Sequence, residues 1–172
     1  MRFLIAAALL SAPLLAASLP AAAATPDEHF YRSLAEAGIA EVGLGKLAQE
    51  KGADQAVKDF GAMMVKDHSA ANDKLQALAS SKNVSLPNHP SVAAEATKAK
   101  LEVLKGNTFD KSYIKSQVTA HEQAVALLQK EIASGQDADA KAFAQQVLPT
   151  IRAHLQAIRS LAAQENVKVA GR

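Results

Sequence analysis

The 172-residue sequence predicts an all-α fold: four long amphipathic helices arranged as two helical hairpins, joined by a long, partly helical crossover. Three observations predict it. Alanine, leucine, lysine and glutamine are abundant, and these are good helix formers. Apolar residues recur three or four positions apart over long stretches, which marks one face of a helix. Glycine, aspartate and proline cluster at a few places between those stretches, where helices start and stop. No run alternates apolar and polar residues in the manner of a half-buried strand.

The elements follow in order. Arg2 precedes an apolar run from Phe3 to Leu19, and Ala22-Ala23-Ala24 fits a small-residue cleavage site. Residues 1–24 are therefore expected to be a secretory signal peptide cleaved near Ala24–Thr25. Pro13 and Pro20 interrupt the run, and it is short for the ~20 residues of a membrane span. Residues 25–166 are expected to form the bundle domain. Its first helix runs from Pro26 to Lys51, with proline at an early position and Gly52 beyond the end. Asp54 caps the second, which continues to about Lys82. Pro87 and Pro90 break the chain. "VAAEATKAKLEVLKG" forms the helical part of the crossover, ending at Gly106. The third long helix starts near Thr108 and stops before Gly135. The fourth runs from near Asp137 to about Glu165, and residues 167–172 are expected to be a disordered tail. Pro149, inside the fourth helix, is expected to curve it around the core, or alternatively to re-aim His154.

A faint internal repeat supports the hairpin reading. Gly52, Asp54, Lys58 and Phe60 have counterparts Gly135, Asp137, Lys141 and Phe143 at one constant offset. "KNV" at 82–84 is echoed at the same offset by "ENV" at 165–167. Two similar hairpins with one long connection are the arrangement of ferritin-like four-helix bundles.

Composition excludes several functions. The formal charge is +2 with both signs interspersed, and aromatics are 4% of residues, so nothing suggests a nucleic-acid footprint. There is no cysteine, hence no disulfide, thiol nucleophile or lipidated cysteine. No glycine-rich phosphate loop or G-x-S-x-G elbow occurs, and no catalytic residue is assigned. No transmembrane segment is expected after residue 24.

The informative residues are histidines. His29 and His89 are expected to face solvent. The other three each interrupt an apolar stripe: His68 between Met64 and Leu75, His121 between Val118 and Leu128, and His154 between Ile151 and Ile158. In the first helix Glu41 takes the equivalent place. At ~1.5 Å of rise per residue the four groups lie within about 12 Å of one another in height. That holds whether the two hairpin turns lie at the same end of the bundle or at opposite ends. An unpaired buried charge costs several kcal/mol, so these groups must be paired, hydrogen-bonded or metal-bound.

Three imidazoles and a carboxylate suit one transition-metal ion, namely zinc, copper or iron, with Glu41, His68, His121 and His154 as ligands. The alternative is a buried polar network that fixes helix register. A di-iron site is not supported. Such sites use Glu-x-x-His, and here Val65 and Ile151 stand three residues before His68 and His154. Asp67 and Glu122 adjoin histidines in sequence but point about 100° away around the helix. They are expected to be solvated or ion-paired, with a role behind the ligands as the alternative. Tyr31 and Tyr113 are expected to pack at the rim.

The segments "GKLAQEKGADQAVKDFGAMMVKDHSAANDKL", "FDKSYIKSQVTAHEQAV" and "LPTIRAHLQAI" resemble an exported bacterial family of unknown function. Asp67-His68, the "AHE" around His121 and the stretch from Leu148 to His154 carry the resemblance. It spans about Phe30 to Ala163. It implies a ferritin-like bundle, export, and the label "outer membrane protein" often given to members. The periplasm is the expected destination, with outer-membrane association or secretion as alternatives. The leading functional expectation is a bundle that binds one metal ion. The others are a metal-free envelope protein, acting in stress tolerance or partner binding, and a metal-dependent oxidoreductase.

Overall fold

The structure, a computed structural model, describes residues 26–169, so the expected signal peptide lies outside the described residues. Five helices follow one another: α1 (Pro26–Lys51), α2 (Gln55–Ser81), α3 (Val92–Glu102), α4 (Gly106–Ser134) and α5 (Ala138–Gln164). No strand occurs among the described residues, and no helix there is long and apolar enough to cross a membrane. The chain is an all-α helical bundle, as the periodicity predicts. α3 ends earlier than expected, at Glu102, and α4 begins at Gly106, where a φ of +57° suits glycine.

The internal repeat is structural. Asp54 and Asp137 each cap a helix, accepting from the Ala56 N–H at 2.7 Å and the Asp139 N–H at 2.9 Å. At the far end of each hairpin Asn83 and Asn166 turn left-handed, with φ of 57° and 52°. The next N–H then reaches back, Val84 to the Ala79 carbonyl (2.9 Å) and Val167 to the Ala162 carbonyl (2.8 Å).

Two further aspartates settle what helix heights alone leave open. Asp27, at the start of α1, accepts the Gln136 N–H of the second hairpin turn at 2.9 Å. Asp110, near the start of α4, accepts from the Ala53 and Asp54 N–H groups of the first turn, at 3.0 and 2.8 Å. Each turn thus sits beside the start of a helix from the other hairpin. The turns lie at opposite ends of the bundle, and the four long helices run up, down, down, up.

This arrangement corrects the expectation that Tyr31 and Tyr113 pack at the rim. Both are fully buried, because the opposite hairpin turn covers the start of each helix. The Tyr31 hydroxyl donates to Asp137 at 3.1 Å, and Tyr113 stacks on Phe109 with centroids 5.9 Å apart. Within the expected tail, Val167 and Val169 pack against the core, and residues 170–172 lie outside the described residues.

Close approach of α1 and α2 depends on glycine at one crossing. A Cβ on Gly61 would fall 2.6 Å from the Gly45 carbonyl oxygen, and the reverse substitution meets the same distance. α5 continues unbroken through Pro149.

The core falls into two apolar clusters. One surrounds Phe60, Met64, Tyr113 and Ile158, toward the first turn; the other surrounds Phe30, Leu75, Leu128 and Phe143, toward the second. Along every long helix the polar stripe residue separates the two. Glu41 lies between Ala35 and Leu44, His68 between Met64 and Leu75, His121 between Val118 and Leu128, and His154 between Ile151 and Leu155. A buried polar layer therefore crosses the middle of the bundle.

Candidate metal centre

All four residues of that layer are buried, with relative exposures of 5% for Glu41, 8% for His68, 1% for His121 and 2% for His154. His29 and His89 are exposed, as expected. The three buried imidazoles converge. Each offers one ring nitrogen within 4.8 Å of those of the other two, and their centroids are 5.5 to 5.8 Å apart. Glu41 is not part of this close group. It stands in the same layer, beside Gln117 and Tyr113 of α4.

Hydrogen bonds orient two of the rings. His121 Nδ1–H donates to the Gln117 carbonyl one helical turn earlier, at 2.9 Å, which leaves Nε2 as the lone-pair nitrogen. His154 Nε2–H donates to Asp67 Oδ2 at 3.0 Å and leaves Nδ1 free. The buried nitrogens without a protein partner are His121 Nε2, His154 Nδ1 and His68 Nε2. An unpartnered buried polar atom costs ~1–3 kcal/mol, so three at one point form an unusual accumulation.

Electrostatics keep two of the rings, those of His68 and His121, neutral. Burial first, then the His121 and His154 neighbours, lowers the His68 pKa to about 3. Burial lowers that of His121 to about 4; the Gln117 carbonyl opposes this, and His154 adds to it. Neutral imidazole is the form that donates a lone pair to a metal. Burial raises the Glu41 carboxyl to about 7, which favours the neutral acid over an anion, with the Gln117 carboxamide acting weakly in the opposite sense. The carboxamide lies near Glu41 without reaching hydrogen-bonding geometry, and both its polar atoms lack protein partners.

Asp67 and Glu122 take the two roles open to them. Asp67 lies off the apolar stripe of α2 but reaches across to α5, where it orients His154. An outer carboxylate of this kind fixes the tautomer of a ligating histidine and raises its basicity. Glu122 is ion-paired instead, accepting from Arg159 at 2.7 Å. Gln117 and Tyr113 were not legible as site residues from the apolar stripe. Their signal is the spacing Tyr113, Gln117, His121, which places them on successive turns of one face.

Fold and site together define an all-α helical bundle with a buried cluster of three imidazoles. The chain belongs to the family described as "Domain of unknown function (DUF4142)", whose model matches residues 12–161. No curated protein matches the sequence. Two solved structures share the fold. One is a DUF305 protein from Streptomyces coelicolor described as a "putative secreted protein". It has a TM-score of 0.70 at 13% identity, covering 83% of this chain and 93% of that one. The other is a DUF305 fragment from Deinococcus radiodurans, with a TM-score of 0.72 at 15% identity, covering 82% of this chain and 98% of that one.

Proposed function

We propose that this protein binds one transition-metal ion through His68, His121 and His154, and that it does so as an exported bundle of the ferritin-like type. The observation that carries the reading is the set of three buried, unpartnered imidazole nitrogens, one from each ring, on three different helices. A structural polar network would satisfy its own members; here a buried nitrogen of each ring has no protein partner. Bonds of 2.0–2.1 Å to a tetrahedral ion require nitrogen separations of about 3.3 Å. Small ring rotations reach that from separations of at most 4.8 Å. Zinc, copper and iron all accept such a donor set. Export is supported by the apolar N-terminal run with its small-residue site, and by the description of the Streptomyces coelicolor protein.

The test is a competition titration of metal-free protein with zinc against a chromophoric chelator. One ion per chain is expected, lost on His121→Ala. Binding that survives His121→Ala would refute the assignment.

A further inference from the structure

Between α1 and α4, beneath α3, lies a cavity of about 700 Å³. Its size falls in the range of small-molecule sites. Its walls are mostly apolar or small, including Leu34, Ala37, Ala124, Leu127 and Phe143. Serine, threonine, lysine and other polar residues also line it, but of its polar residues only Glu41, His68 and His121 are buried. Glu41, His68 and His121 meet there, whereas His154 does not line it. An ion held by the three imidazoles would therefore be backed by His154 and Asp67 on one side and open toward the cavity on the other.

Glu41 adds a second and independent observation. Its Oε2 atom is buried and has no protein partner, although the residue lines the cavity. Behind it the Tyr113 hydroxyl and both polar atoms of the Gln117 carboxamide are likewise buried and unpartnered. Glu41 lies outside the close imidazole group, so it is placed to meet something bound to the ion, not the ion itself.

We infer that the cavity is a ligand site for a small amphiphilic molecule, whose donor head takes the fourth position on the ion while hydrogen-bonding to Glu41 and whose apolar body lies between α1 and α4. This rests on the metal reading above. Its ligand class follows from the buried part of the lining, where Glu41, His68 and His121 meet apolar residues such as Leu44, Leu75 and Phe143: one polar end that can ligate a metal, and an aliphatic or aromatic remainder.

Cobalt(II)-loaded full-length protein, with hydroxamates as probes, provides the test. Acetohydroxamate and octanohydroxamate should both shift the visible cobalt spectrum, with the octanoyl compound at least tenfold tighter. Ala124→Phe, which fills the wall, should remove most of that advantage. Glu41→Gln should weaken both hydroxamates severalfold while cobalt still binds. Bound cobalt with a spectrum indifferent to both hydroxamates overturns the inference and leaves the metal reading intact. Equal affinity for the two compounds overturns the apolar body. Failure of the protein to take up cobalt overturns the metal reading, and this inference with it.

Discussion

Asp67 offers the sharpest separation between a metal centre and a buried network. Its carboxylate accepts the His154 Nε2–H at 3.0 Å and so commits Nδ1 to the interior. The Asp67 side chain is 31% exposed and the His154 ring 3% exposed, so the bond joins a partly solvated acid to a buried ring. In Asp67→Ala the ring loses the group that fixes its tautomer and raises its basicity. Loss of such an outer partner typically weakens metal binding 10–100-fold. That corresponds to about 1.4–2.8 kcal/mol. Partial exposure places Asp67→Ala near the middle of the range, and Asp67→Asn, which keeps an acceptor oxygen, near its lower end. The assay is the zinc competition titration, with circular dichroism to show that the helices persist. A zinc affinity in Asp67→Ala within twofold of the unsubstituted protein would refute the reasoning. The lone pair of His154 would then not depend on its outer hydrogen bond.

Other consequences follow from the fold. Asp110→Ala removes the acceptor for the Ala53 and Asp54 N–H groups at the first turn. It should cost about 2–4 kcal/mol, read as a fall in Tm of roughly 5–10 °C. Gly61→Ala forces a Cβ to 2.6 Å from the Gly45 carbonyl, and thermal unfolding should show a loss of about 1–3 kcal/mol despite the better helix propensity of alanine. Glu131 is buried, and burial, then the Asp27 hydrogen bond and the charges of Asp27 and Asp137, raise its pKa from 4.5 to about 7, against the pull of Lys141. The folded state therefore holds the proton more tightly than the unfolded one. Its contribution is fully present below pH 4.5 and is lost as pH rises through about 7. Glu131→Gln should flatten that decline and stabilise the protein at pH 8 by on the order of 1 kcal/mol, measured by urea unfolding across pH.

Much of this molecule was legible from spacing. The long helices, the cap at Asp54, the start of the last helix near Asp137, and the inward histidines all follow from local signals, because a helix declares its face within its own residues. The order of the turns was not. The spread of helix heights is the same for both topologies, and the choice is made by Asp27 and Asp110 reaching turns distant in sequence. The burial of Tyr31 and Tyr113 was missed for the same reason, since the residues that cover them belong to the other hairpin. Asp67 could not be assigned from α2 alone, as its partner is on α5. Glu41 was placed in the correct layer, but a stripe gives height and face without lateral separation. Only the packing of four helices sets the three imidazoles together with Glu41 to one side.

The central claim is most directly tested by the metal content of untagged protein, purified from the compartment in which it accumulates and measured by elemental mass spectrometry. The account predicts close to one transition-metal ion per chain, absent from a His68→Ala, His154→Ala double variant that keeps its helical circular dichroism. Protein that is metal-free as isolated and takes up no zinc, copper or iron at micromolar concentrations would contradict it.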